Sequence, residues 1–503
     1  MKLSKIILLS LACFCLPALA SSKTDAVILS AAQKTINPPI TRIKFDRTAA
    51  TIENGDVWIW GYRNMGLQGN GEIKVDMRSE PQRVKKFVDL DLNIIQIATG
   101  RFHIIALDEN GDVWGWGRNK YREATGGVET NDKYVPIPVK VLEGKNIVDI
   151  HCSDNASFAL TKKGEVWVWG RGIRGELGID ATHLKNDVQK LPPQLLYRKT
   201  NILSFGAGSR TIFMLINNDG SLTRAVGWGE TISYEICTML NPKCRFTKKP
   251  SDLTKFFLDI AGSNSLEFGD DSFVSATGIK KPGELKGVMV GKNFMLYQTI
   301  NDELYGVGEL QYLTDESFDE DDLDEDEDDL YIDDEDEERI ERLENADDAY
   351  DADNDEKDII EKTNRAEAPI KIIGKAPNAK SGDVATYYCP YKGCYAITKH
   401  GNLLTWGKRD SSKLNQILYG EKKAGAVVQR HIKGKLTKID SGRRHLIYWN
   451  EAGEAYGVGS GNYRKFDLSS SRNRDWDSPS RLDFLMDAMH KVYGEDYVLG
   501  QVK

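Results

Sequence analysis

The sequence predicts an all-β protein, a seven-bladed β-propeller of four-stranded antiparallel blades, interrupted by an acidic insert and followed by a short C-terminal helix. Three observations carry this expectation. A unit of about fifty residues recurs along the chain, each copy ending in an aromatic run and a glycine. Inside each unit, alternating apolar runs are joined by tight Asn/Asp/Gly turns, the pattern of an antiparallel meander. The composition agrees: 45 glycines, 20 tyrosines, 16 phenylalanines and 10 tryptophans stand against 15 prolines, which favours turns and short strands. At 503 residues with 40% hydrophobic and 28% charged side chains, the chain is neither collagenous, wholly disordered nor a polytopic membrane protein.

The repeat is clearest in two copies. Residues 94–117, IIQIATGRFHIIALDENGDVWGWG, match 147–170, IVDIHCSDNASFALTKKGEVWVWG, over their whole length without a gap. Looser copies occupy 51–61, 202–229, 288–308, 387–407 and 436–459. In the fuller copies an apolar run leads to a glycine at 100, 208, 291 and 442, replaced by Ser153 and Pro390 in two of them. A second run follows, then a turn such as Glu109-Asn110-Gly111 or Asn218-Asp219-Gly220, then a third run that closes the unit. The closing glycines fall at 61, 117, 170, 229, 308, 407 and 459. One small sheet cannot bury both of its faces alone. Radial stacking buries them and ring closure protects the edges, so seven copies imply seven blades.

The residues Gly100, His103, Ala106, Leu107, Gly111, Val113, Trp114, Trp116 and Gly117 resemble the regulator of chromosome condensation repeat. Its closing G-x-x-G-x-L-G piece is matched by Gly172, Gly175, Leu177 and Gly178 within 170–178, and more loosely by Gly61 to Leu67. The resemblance runs over residues 43–465 and is weaker in copies five to seven. It implies a seven-bladed propeller. The family includes chromatin-bound nucleotide-exchange factors and secreted bacterial propellers that cap and inhibit enzymes.

Residues 1–20, MKLSKIILLSLACFCLPALA, read as a signal peptide: Lys2 and Lys5 precede an apolar run, and Ala18-Leu19-Ala20 is a small-residue cleavage site. The mature chain is expected to begin at Ser21, to be periplasmic or secreted, and to keep no membrane span. Residues 21–42 form an N-terminal segment expected to help close the ring. In an oxidising compartment Cys237 with Cys244, and Cys389 with Cys394, are expected as local disulfides, leaving Cys152 odd.

Eight of the ten tryptophans, from Trp58 to Trp406, sit in the closing runs. Their recurrence at one repeat position points to packing between blades rather than a ligand cage. His103 and His445 share a repeat position and read as structural. The chain has no G-x-S-x-G, no H-E-x-x-H and no phosphate loop, so no catalytic residue, cofactor or metal site is assigned.

The long gap between the fifth and sixth closing glycines holds 315–361, with 28 acidic and 3 basic residues. Such a block repels itself and is expected to stay disordered, serving as a cover, a docking segment, a weak Ca²⁺ holder or a solubilising spacer. It has no glycine, so a tight Ca²⁺ hand is not expected. Without it and the signal, 62 basic residues face 48 acidic ones, so an overall charge of −9 conceals a basic body. Residues after the closing glycines are candidate partner contacts on one rim: Tyr62, Arg63, Asn64, Arg118, Asn119, Lys120, Arg171, Arg174, Lys408 and Arg409. From 466 to 503 the sequence reads as a polar linker, then a helix with Leu482, Leu485, Met486 and Met489 on one face.

Together these features predict an exported, monomeric propeller that binds a protein, as an enzyme-inhibiting or effector module. Nucleic acid is a less fitting partner for an exported chain. The alternatives are a secreted effector that exchanges guanine nucleotide on a host small GTPase, with 238–283 as the place for an extra hairpin, and a glycan-binding or hydrolytic propeller.

Overall fold

All seven closing glycines occupy one place in the architecture. Each pairs with the first residue of the preceding strand: Thr48 with Gly61, His103 with Gly117, Ala156 with Gly170, Thr211 with Gly229, Phe294 with Gly308, Gly393 with Gly407, and His445 with Gly459. The sequence repeat is therefore a repeat of hydrogen-bond register. These positions come from a computed structural model. It describes residues 40–501 except 43–47, 75–79, 180–191, 231–245, 255–284, 309–365, 372–383, 408–427, most of 461–474, and breaks of one to five residues in other links.

Seven antiparallel meanders follow one another. Blade 1 contains β2 (Thr48–Glu53), β3 (Asp56–Gly61) and β4 (Gln82–Arg83). Blade 2 contains β5 (Ile94–Thr99), β6 (His103–Asp108), β7 (Val113–Arg118) and β8 (Tyr134–Leu142), and blade 3 contains β9 (Ile147–Cys152), β10 (Ala156–Thr161), β11 (Val166–Gly170) and β12 (Gln194–Tyr197). Blade 4 is β13 (Ile202–Ala207), β14 (Thr211–Ile216), β15 (Arg224–Glu230) and β16 (Phe246–Asp252). Blade 5 is β17 (Leu285–Val290), β18 (Phe294–Thr299), β19 (Leu304–Gly308) and β20 (Ala366–Lys371). Blade 6 is β21 (Val384–Tyr388), β22 (Gly393–Thr398), β23 (Leu403–Gly407) and β24 (Val428–Arg430). Blade 7 is β25 (Leu436–Ser441), β26 (His445–Asn450), β27 (Ala455–Ser460) and β28 (Asp475–Arg481).

Two details differ from the sequence expectation. The strand β1 (Ile40–Arg42) leaves blade 1 short of the four strands expected of each blade. It pairs in parallel with β5, Ile40 opposite Gln96, so blade 1 keeps three strands and the sheet of blade 2 has five. And part of the stretch read as linker forms β28, which completes blade 7, so the propeller body extends to Arg481. The polar composition of that stretch hid an outer strand, which pairs through its backbone along only one edge.

The core lies between blades. Ile52, Ile59, Phe87, Ile97, Trp114 and Trp116 fill the seam of blades 1 and 2. Phe158, Val168, Phe205 and Trp228 fill that of blades 3 and 4. The tryptophans act as packing groups, and two also tie blades together. Trp116 Nε1 donates to Leu67 O of blade 1 at 2.9 Å, and Trp228 Nε1 donates to Glu176 O of blade 3 at 2.9 Å. Trp406 has its side chain outside the described residues.

The ring closes where blade 7 meets blade 1. Thr51 Oγ1 donates to Asp440 Oδ2 at 2.7 Å and Lys438 Nζ to Ile52 O at 2.5 Å. The C-terminal helix (Asp483–Tyr493) covers this seam. Leu482, Leu485, Met486 and Met489 are all buried there, so the apolar face docks on the disc. Tyr493 Oη accepts from Trp58 Nε1 at 2.9 Å and lies 2.7 Å from Asp56 Oδ2. Beyond the helix, Gly500 N donates to both Glu53 carboxylate oxygens, at 3.1 and 3.2 Å. Burial raises the Glu53 carboxyl above its ordinary range, although Lys438 and the Gly500 N–H oppose the rise.

Candidate binding face

In a four-stranded meander the first-to-second and third-to-fourth links leave at one end of each blade, and the second-to-third links leave at the other. The two ends differ greatly here. Third-to-fourth links run from 14 to 57 residues, whereas second-to-third links have two to seven. The face with the long links is the place where side chains can vary without disturbing the sheets.

That face has a common backbone design. The first-to-second link is a two-residue turn, closed by Gly100 N to His103 O at 3.0 Å in blade 2 and by Gly208 N to Thr211 O at 2.8 Å in blade 4. In blades 2, 3 and 4 the residue after the closing glycine donates its N–H to the turn's last carbonyl: Arg118 to Phe102 O, Arg171 to Asn155 O, and Glu230 to Arg210 O. This tight approach explains the closing glycine. Gly229 has φ +105°, and a Cβ there would lie 2.2 Å from Arg210 O. Adjacent turns also join one another, Arg101 N to Asp154 O and Asp154 N to Ser209 O.

The geometry corrects the rim reading for several proposed contacts. Arg63, Arg118, Asn119 and Arg171 are buried, at 0 to 3% exposure, and Tyr62 is at 9%. Arg118 and Arg171 flank the buried Tyr121 ring at 5.4 and 5.3 Å, with Lys120 at 5.2 Å. Asn119 Oδ1 accepts from Thr125 N and its amide donates to Asp132 O. These side chains hold the long links in place, because the backbone bond after the closing glycine draws the following residue inward. Asn64 and Lys120 are half-buried. Arg174, Lys408 and Arg409 lie outside the described residues.

The residues standing outward are the tips of the two-residue turns, which sequence reasoning passed over. Of these tips, Arg101, Phe102 and Arg210 are half-buried; Lys133, at the end of the long link of blade 2, is exposed. Arg210 Nη1 bonds Glu230 Oε2 at 2.9 Å. The signal was available in the residues directly after the repeat's first glycine.

Two buried polar groupings could be mistaken for active sites. His103 Nε2 lies 2.9 Å from Ser157 Oγ, which donates to Glu123 O at 2.8 Å, and both side chains are fully buried, so the pair is a strut between blades 2 and 3. Asp149 on β9 accepts from Arg42 Nη1 at 2.6 Å and Gln96 Nε2 at 2.8 Å, and lies 2.9 Å from His151 Nε2. Burial pushes its carboxyl up, but the Arg42 and His151 charges outweigh that and leave it below the ordinary range. This cluster ties β1 to blades 2 and 3. Among the described residues, no group of three His, Cys, Asp or Glu could hold a metal ion.

Cys389 and Cys394 form a disulfide across the first-to-second link of blade 6. Cys152 is buried beside Ser157 Oγ. Cys237, Cys244, the signal segment and 315–361 lie outside the described residues, as does most of 238–283, of which 246–252 forms the outer strand of blade 4.

Known proteins show the same repeat. The profile of the Regulator of chromosome condensation (RCC1) repeat matches residues 54–107 and 110–160, and a second profile of it matches 94–123. The RCC1 domain-containing protein RUG3, mitochondrial, of Arabidopsis thaliana is 31% identical over 194 residues, 38% of this chain and 41% of that protein. The probable E3 ubiquitin-protein ligase HERC4 of Rattus norvegicus is 37% identical over 133 residues, 26% of this chain and 12% of the ligase. The chain thus spans less than half the length of these relatives. Prp20p from Saccharomyces cerevisiae superposes with a TM-score of 0.56 at 17% identity, covering 90% of both chains. Human WBSCR16 gives 0.55 at 16% identity, covering 86% of this chain and 94% of its own. At these identities the likeness concerns the fold. With seven blades in one register and the repeat profile on the best-formed of them, the chain is an RCC1-like repeat protein with a β-propeller fold.

Proposed function

We propose that this chain is an exported propeller that binds a protein partner through the face bearing the long third-to-fourth links. The observation that carries this reading is the asymmetry of the disc: links of 14 to 57 residues stand on one face and links of two to seven on the other. A rigid ring with variable loops on one side suits recognition. The solved relatives support a protein as the ligand class, since Prp20 is described with Kap60 bound and for its binding to Gsp1p and histones. Export rests on residues 1–20 alone. An enzyme-inhibiting or effector role is the form such binding takes in an extracytoplasmic setting.

The test is capture of proteins from the native extracytoplasmic fraction on the mature chain, read by mass spectrometry. Changing Arg101→Glu with Lys133→Glu on the long-link face is expected to lower retention at least tenfold. Changing Lys162→Glu with Lys163→Glu on the opposite face should leave retention unchanged. Equal loss from both variants, or capture of no protein, overturns the reading.

A second reading, nucleotide exchange on a small GTPase, draws on the likeness to Prp20p, whose binding to Gsp1p is described. Accelerated release of labelled GDP from a small GTPase on adding the chain would replace the first reading with this one.

A further inference from the structure

Blades 2, 3, 4, 5 and 7 close their first-to-second turn in the same way. The residue that starts the turn donates its backbone N–H to the carbonyl of the residue that begins the second strand. The bonds are Gly100 to His103 at 3.0 Å, Ser153 to Ala156 at 2.9 Å, Gly208 to Thr211 at 2.8 Å, Gly291 to Phe294 at 2.9 Å and Gly442 to His445 at 2.9 Å. The sizes of the two residues are complementary. A Cβ at Gly100 would lie 2.1 Å from His103 Cε1, and one at Gly291 would lie 2.3 Å from Phe294 Cζ. Where the second residue is as small as Ala156, the first can be Ser153.

Blade 6 departs from this plan. Its second strand begins with Gly393, and the residue at the start of the turn is Pro390. Proline opposite glycine keeps the complementarity of size, but proline has no N–H, so the closing bond of the other blades is not available here. The disulfide Cys389–Cys394 lies one step into the same hairpin, next to the pair Tyr388 and Tyr395. In the other blades that cross-strand position holds Thr99 with Ile104, Cys152 with Ser157, Ala207 with Ile212, Val290 with Met295 and Ser441 with Leu446. Blade 3 is the telling comparison. Cys152 stands where Cys389 does, but it faces Ser157, and there the Ser153 N–H closes the turn.

We propose that the Cys389–Cys394 disulfide replaces the backbone bond that Pro390 withholds, so that the inner hairpin of blade 6 is closed only while this pair is oxidised. In reduction, a dithiol passes two electrons and two protons to the bridge, leaving two thiols and itself becoming a disulfide. The other blades keep their backbone closures, so the loss is confined to one turn. Cys389 is 6% exposed and Cys394 0%, so a reductant reaches the sulfurs when the hairpin opens. This ties one turn of the long-link face to an oxidising compartment, whether or not that face binds a protein.

Blade 3 supplies the test. Pro390→Ser gives the turn the N–H that Ser153 uses, and Cys394→Ser removes the bridge with the residue type found at Ser157. Amide hydrogen exchange of the full mature chain is read by mass spectrometry over 384–398, with 147–161 as the internal reference. Cys394→Ser is expected to speed exchange over 384–398 at least tenfold and to leave 147–161 unchanged. Pro390→Ser alone should change it less than threefold, and the double variant should return to within threefold of the native rate. A Cys394→Ser chain that fails to fold while the double variant folds is the same result in stronger form. Exchange as fast in the double variant as in Cys394→Ser, failure of both to fold, or native exchange in Cys394→Ser overturns the proposal.

Discussion

Replacing Arg42 with methionine isolates the contribution of a buried ion pair that anchors the N-terminal strand. Arg42 Nη1 lies 2.6 Å from Asp149 Oδ1, with the aspartate side chain 6% exposed and the arginine 23%. Removing one partner of a buried pair costs about 3–5 kcal/mol when the other charge is stranded. Here Gln96 and His151 still contact the carboxylate and Arg42 keeps some solvent contact, so about 2–3 kcal/mol is the expected loss. The pH dependence gives the sharper test. In the native protein the Asp149 carboxyl titrates below its ordinary range, so its contribution is present above pH of about 3.9 and lost as pH falls through the lowered value. Without Arg42 the carboxyl titrates higher, and a buried carboxylate that has lost its arginine weakens the fold wherever it is ionised. The deficit should therefore be full at pH 7.5 and smaller at pH 4.5. Urea unfolding followed by tryptophan fluorescence at the two pH values reads both quantities. A deficit below about 0.5 kcal/mol at pH 7.5, or the same deficit at both pH values, refutes the reasoning.

Other perturbations address the closing turns and the ring seam. Gly229→Ala should cost more than about 2 kcal/mol, because a Cβ meets Arg210 O, whereas Gly144→Ala, also at positive φ but with open space around it, should cost about 1. Thermal unfolding of the two variants checks the contrast. Tyr493→Phe removes the hydroxyl that accepts from Trp58 Nε1 and should cost about 1–2 kcal/mol while leaving the helix docked, as hydrogen exchange over 483–493 would report. Leu485→Ala at the same seam should cost about 2–5 kcal/mol and speed exchange in that helix.

Much of the fold was legible because its physics is local. Seven aromatic runs ending in glycine gave the blade count, and the structure places every one of those glycines in the same register. The inter-blade role of the tryptophans followed from their recurrence, and the docking face of the C-terminal helix from its apolar spacing. The strands at the two ends of the chain were less legible. A three-residue strand such as Ile40–Arg42 has no periodicity that names its neighbour, and Asp475–Arg481 is as polar as a linker because an outer strand pairs along one edge only.

The candidate face shows the division most clearly. Residue types and spacing alone determined that this is an RCC1-like propeller with a basic body and an acidic insert. Which cations face outward was decided in three dimensions. Arg118 and Arg171 directly follow closing glycines and read as rim charges, yet their backbone N–H groups bond the turn carbonyls Phe102 O and Asn155 O and those positions turn inward; Arg63 is buried as well. The tips that do face solvent, such as Arg101, are scattered in pairs some fifty residues apart, and only the shared register brings them to one end of the disc. Charge along a chain is a sum, whereas charge on a face depends on which links leave the sheets together. That is fixed by strand pairing across the whole ring.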